Sequence, residues 1–270
     1  MHSSFIHYKN SRIHYSIAGN GKHPVICLHG YGETADSFKF LESSLPDSFQ
    51  LIAIDLPFHG NTEWKEGLNF SILELVEIID GILKQQKIEE QQFSLIGYSM
   101  GGRVALHLIQ QIPERIKKVV LLAPDGMKVN FWYWLATQTF IGNRFFRLTM
   151  AKPGWFLGFL NGINSMKLVN PSIHKFVRYY IHDDQIRKEL FERWTGLRKI
   201  RPSHRHLKSG IREFQIPIAL LYGKFDRIIR VEPGERFRKG IEPYCQIELL
   251  DSGHQVLKEK NIPVILNWLR

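Results

Sequence analysis

The sequence predicts an α/β protein with an open, mainly parallel sheet flanked by helices. Three observations carry this. Six short apolar runs, Val25–Leu28, Leu51–Ile54, Phe93–Ile96, Val119–Leu122, Ile218–Tyr222 and Ile247–Leu250, recur along the chain, with the length and composition of strands buried on both faces. Helical stretches separate them, which favours right-handed strand–helix–strand crossovers. Each run ends at or within two residues of a Gly, Asp or Pro, and the residues of chemical interest fall just past those ends, where open parallel sheets bind ligands.

The elements follow in order. Phe5–Tyr8 and Ile13–Ile17 alternate around Lys9-Asn10-Ser11 and read as an antiparallel hairpin. Ser71, with Glu74 three residues on, is expected to cap a helix running to Gln85. A helix after Ser99 carries Arg103, His107 and Gln110 on one face and Val104, Ala105, Leu108 and Ile112 on another, and Pro113 stops it. The 270 residues, 44% hydrophobic and 23% charged, fit one domain at the large end or a core domain with an insertion, and argue against a disordered chain.

The insertion is visible as a change in composition. Between Lys128 and Glu213 there are 16 Lys and Arg against 5 Asp and Glu, so this segment holds more than the net charge of +10 of the whole chain. It also holds 15 of the 33 aromatic residues, with clusters at Phe131-Trp132-Tyr133-Trp134, Phe145-Phe146, Trp155-Phe156 and Phe159. Helical packing is the first reading of such clusters. A hydrophobic wall for an acyl or aromatic substrate is the second. The composition also permits a third reading, helices lying on an anionic membrane surface. No nucleic-acid-binding module accompanies the basic charge, so no nucleic acid partner is expected. No run approaches the roughly 20 apolar residues of a membrane span. Met1–Asn10 lack an apolar core of leader length, and Cys27 and Cys245 are expected as free thiols, so a cytoplasmic location is expected.

The chemistry centres on Gly97-Tyr98-Ser99-Met100-Gly101. An apolar strand runs into it and an amphipathic helix runs out. A serine on so sharp a turn is strained, its hydroxyl is held at the mouth of the sheet, and small neighbours are needed for the chain to pass. The N–H of Met100 then sits at a helix N-terminus, where developing negative charge is stabilised. His29-Gly30-Tyr31-Gly32 can aim a second N–H, that of Tyr31, at the same oxyanion, with His29 itself structural. Asp226 lies past the strand Ile218–Tyr222, and His254 past the next. A base must reach the serine hydroxyl, and a carboxylate must fix its tautomer. The catalytic set is therefore expected to be Ser99, His254 and Asp226, with Asp125 and Asp251 as rival acids. Asp55-Leu56-Pro57-Phe58-His59-Gly60 reads as a structural turn bordering the site.

Taken together, these motifs resemble the α/β-hydrolase superfamily over nearly the whole chain. Glu33 stands where the family's H-G-x-x-G loop has its last glycine, and Phe58 replaces the first glycine of its D-x-x-G-x-G turn. The chain order Ser99, Asp226, His254 is that of the family's triad. The resemblance implies an α/β-hydrolase fold with a core domain of residues 1–127 and 214–270 and a helical cap, 128–213, inserted after the sixth strand. Gly97–Arg103 is also similar to the menaquinone-pathway synthase of this superfamily, whose matching arginine binds substrate carboxylate. Tyr98 and Arg103 are accordingly expected at the substrate. The function expected is a serine hydrolase acting on a small-molecule carboxylic ester or thioester, with no metal and no organic cofactor. The alternatives are a lyase using the same triad on an anionic substrate, and a non-catalytic binding module. A cationic cap would also draw anionic substrates toward the site.

Overall fold

The computed structural model describes residues 1–128, 131–165 and 180–270. An eight-stranded sheet runs in the order β1-β2-β4-β3-β5-β6-β7-β8. Its strands are β1 (His2–Tyr8), β2 (Ser11–Ala18), β3 (His23–Leu28), β4 (Phe49–Ile54), β5 (Phe93–Tyr98), β6 (Ile116–Leu122), β7 (Ile218–Gly223) and β8 (Cys245–Leu250). The first two form the expected hairpin, with Phe5 opposite His14, and β2 pairs antiparallel to β4. From β4 to β8 every pairing is parallel.

Alternation along the strands fills both faces. Val25, Cys27, Leu51, Ala53, Ile96, Val120 and Leu122 join one buried cluster with Phe38, Leu41, Ile265 and Leu266. Ile26, Leu28, Ile52 and Leu95, the alternate residues, are fully buried on the other side. One expectation changes here. β8 was expected to be buried on both faces, but only its ends, Cys245 and Leu250, are buried. It is the last strand of the sheet, and an edge strand has one neighbour fewer to cover it.

The chain divides into two compact units. The first comprises Met1–Glu66, Phe70–Lys128 and Lys199–Arg270, and contains the sheet; the second comprises Gly67–Asn69 and Val129–Arg198. Helices α1 (Ile72–Gln85), α2 (Met100–Gln111), α7 (His204–Glu213), α8 (Glu232–Arg238) and α9 (Ile262–Leu269) belong to the first unit. Ser71 and Glu74 form a reciprocal capping box at the start of α1. The second unit contains α3 (Phe131–Gln138), α4 (Phe140–Ala151), α5 (Gly154–Ser165) and α6 (Asp184–Gly196).

The segment 128–213 is thus shared between the units. Residues 199–213 pack with the sheet because α7 buries Leu207, Gly210 and Ile211 and lies on α2. The N–H of Ser203 also donates to Gln110 Oε1 at 2.6 Å. In the second unit the rings of Phe191 and Trp194 each lie 5.6 Å from Phe146, and Tyr133 lies 5.2 Å from Trp194. Part of the aromatic content is therefore packing. The side chain of Trp132 and residues 166–179 of the expected insertion lie outside the described residues. No described helix is long and apolar enough to cross a membrane. Cys27 and Cys245 are free and buried.

Candidate active site

β5 delivers Ser99 to the carboxyl edge of the sheet, and α2 leaves from it. Ser99 holds φ 48° and ψ −111°, a left-handed backbone that costs a side-chain-bearing residue about 1–3 kcal/mol. The turn is fixed from several sides. The Ser99 N–H donates to the Leu122 carbonyl at 2.9 Å, and its own carbonyl accepts from the N–H groups of Gly102 and Asp125, each at 2.9 Å. The flanking glycines are required by space. A Cβ on Gly101 would lie 1.9 Å from the Leu28 carbonyl oxygen, and one on Gly97 would lie 2.8 Å from that of Gly101.

His254, beyond β8, reaches this serine: its Nε2 lies 3.2 Å from Ser99 Oγ. Its Nδ1 lies 2.8 Å from Oδ2 of Asp226, which follows β7 and is only 8% exposed. The other Asp226 oxygen, Oδ1, accepts the N–H groups of Ile228 at 2.7 Å and Ile229 at 2.9 Å. A carboxylate so held only accepts. It therefore accepts a hydrogen bond from Nδ1–H, which keeps the proton on Nδ1 and leaves Nε2 as the acceptor facing the serine hydroxyl. The three side chains expected to act together are thus brought into one hydrogen-bonded line.

The rival acids are elsewhere. Asp125 Oδ2 lies 3.6 Å from Arg103 Nη1, and Oδ1 accepts the Gly126 N–H at 2.7 Å. Asp251 is exposed. Arg103, expected at a substrate carboxylate, is therefore engaged by Asp125, with a side chain only 12% exposed. Tyr98 is 2% exposed. Its ring lies 5.7 Å from that of His254, and its hydroxyl donates to the His254 carbonyl at 3.4 Å, so it packs beneath the imidazole. Burial pushes its phenol well up, and the carboxylates of Glu33 and Asp226 add to this.

The loop after β3 carries Tyr31 in a turn closed by the Glu33 N–H on the Gly30 carbonyl at 3.2 Å. His29 is fully buried, accepts the Leu56 N–H on Nε2 at 3.0 Å, and so donates from Nδ1 to the Gly30 carbonyl at 2.8 Å. It ties this loop to the Asp55 turn. Asp55, also fully buried, accepts from Ala35 N at 2.6 Å, Asn61 N at 2.8 Å and His14 Nδ1 at 2.8 Å. Phe58, at the position where the family pattern has glycine, has φ 67°, the left-handed backbone that glycine would supply freely.

Glu33, at the position where the family pattern has glycine, is a neighbour of the site. Its Oε2 accepts the Gly30 N–H at 3.3 Å. Burial raises its carboxyl above the usual range, against the lowering pull of Gly30, Ser37, Gln255 and the His254 charge. The signal available in the sequence was its spacing, three residues after a glycine in a tight turn.

Known proteins resemble this chain. A model of the alpha/beta hydrolase fold matches residues 23–260. The human monoacylglycerol lipase ABHD6 is 23% identical over 278 residues, covering 100% of this chain and 82% of the relative. A putative 2-succinyl-6-hydroxy-2,4-cyclohexadiene-1-carboxylate synthase of Bacillus subtilis is 29% identical over 231 residues, covering 79% of this chain and 78% of the relative. That second likeness extends far past the Gly97–Arg103 motif. A thermophilic esterase from Thermogutta terrifontis superposes with a TM-score of 0.70 at 20% identity, over 100% of this chain and 98% of the other. With its parallel sheet and the family match over most of its length, the chain belongs to the α/β-hydrolase fold family and is a hydrolase by class.

Proposed function

We propose that the chain is a serine hydrolase that cleaves a small-molecule carboxylic ester or thioester through an acyl-enzyme. The observation that carries this reading is the line Ser99 Oγ–His254 Nε2 at 3.2 Å and His254 Nδ1–Asp226 Oδ2 at 2.8 Å. Ser99 Oγ attacks the carbonyl carbon as His254 Nε2 takes its proton. Asp226 holds the tautomer and stabilises the imidazolium, and the N–H groups of Tyr31 and Met100 receive the oxyanion. His254 returns the proton to the departing oxygen or sulfur. Water then repeats the sequence on the acyl-enzyme. These steps call on no metal and no organic cofactor. The similarity to a monoacylglycerol lipase favours an acyl ester among the candidates. The second unit, which enters the chain after β6, is read as the substrate-selecting cap.

The test is pre-steady-state hydrolysis of a p-nitrophenyl ester. A burst of nitrophenol equal to the enzyme present, with an acyl mass on the Ser99 peptide, is expected. Linear release with no acyl adduct would overturn the reading.

The likeness to the cyclohexadiene-carboxylate synthase favours a second reading. In it His254 and Ser99 serve as a base for elimination from an anionic substrate. Elimination from such a substrate, with no acyl-enzyme on any ester, separates this reading from the first.

A further inference from the structure

The second unit turns an unusual face to solvent. Helix α4 buries Asn143 and Thr149 and leaves Phe140, Ile141, Phe145 and Leu148 outside, at 82%, 80%, 53% and 49% exposure. That reverses the ordinary pattern, in which an exposed large apolar face or a buried polar one is the informative departure. The exposed apolar surface continues onto α5 through Trp155 and Phe159, 41% and 58% exposed, and the rings of Phe145 and Trp155 meet at 4.9 Å. The same surface carries exposed Arg144, Arg147 and Lys152. From Gly126 to His182 the sequence has seven Lys and Arg and no Asp or Glu.

We propose that this face of α4 and α5 docks on an anionic lipid surface. Exposed aromatic and aliphatic side chains would enter the headgroup boundary while the interleaved guanidinium and ammonium groups pair with lipid phosphates. The charge selects this occupant. A second copy of the chain would bring one all-cationic face against another, and their repulsion opposes pairing. A zwitterionic lipid surface carries no net negative charge to attract these cations. The inference is independent of the reaction at Ser99.

The test is flotation of the full chain with vesicles of phosphatidylcholine alone and of phosphatidylcholine mixed with phosphatidylglycerol. The chain is expected to float with the mixed vesicles only, and less so as salt rises. I141S, and separately the pair R144E and R147E, are expected to weaken that binding by about tenfold or more. Both changes lie on exposed positions, and unchanged thermal melting confirms folding. Were either variant to misfold, F159S on α5 serves in its place with the same expected loss. No flotation, equal flotation with neutral vesicles, or folded variants that float like the parent would overturn the proposal. So would light scattering that shows a dimer abolished by the same substitutions, which would assign the face to a second copy.

Discussion

At the scale of single residues, the backbone of Ser99 is where function and stability conflict. Its φ of 48° suits glycine, yet the proposed chemistry needs a hydroxyl there. Ser99→Ala and Ser99→Gly both remove that hydroxyl and differ mainly in tolerance of the turn. Both are expected to lose activity, while Ser99→Gly should be the more stable by about 1 kcal/mol. Urea denaturation of the pair reads this, and equal midpoints would mean that the turn is not strained. The acid is tested by Asp226→Asn, which leaves the geometry but presents an amide to His254 Nδ1. It is expected to lower kcat by roughly 10⁴-fold, whereas Asp125→Asn disturbs the contact with Arg103 and should cost far less. A larger loss from Asp125→Asn would reassign the acid. Ser99, Asp226 and His254 were legible because each stands one turn past a recognisable strand, and strand ends converge in a parallel sheet. The burial of Tyr98 and the pairing of Arg103 with Asp125 were not legible. They depend on side-chain direction across elements distant in sequence, which no local pattern encodes.

At the scale of elements, α7 shows how composition misleads. Its bases, Arg205, Lys208 and Arg212, made it read as part of the cationic insertion, but packing is decided by Leu207, Gly210 and Ile211, which are buried in the first unit. Leu207→Ala is expected to destabilise the chain by about 2–5 kcal/mol. A shift of under about 1 kcal/mol in chemical denaturation would show that α7 contributes little to the first unit. The strands themselves were legible from apolar run length, with ends extended by a few residues in the structure. The edge position of β8 was not, because Ile247, Leu249 and Leu250 give it a buried-looking sequence while only the topology reveals its missing neighbour.

At the scale of the whole molecule, two histidines tie stability to pH. Burial lowers the pKa of His23, with Lys117 adding to the effect, and burial alone lowers that of His107. The folded state therefore favours the neutral rings. That contribution is present above the unfolded value of about 6.5 and is lost as pH falls through the depressed folded values. Tm is expected to fall between about pH 7 and pH 5, and His107→Gln should flatten that slope. An unchanged slope in the variant would show that His107 does not couple stability to pH. Labelling the intact protein with a fluorophosphonate, and locating the adduct by peptide mass, tests whether the whole chain presents one activated serine. A single adduct on Ser99 is expected, absent from Ser99→Ala and from chain unfolded before labelling. Labelling that persists in Ser99→Ala, or that falls on another residue, would contradict it.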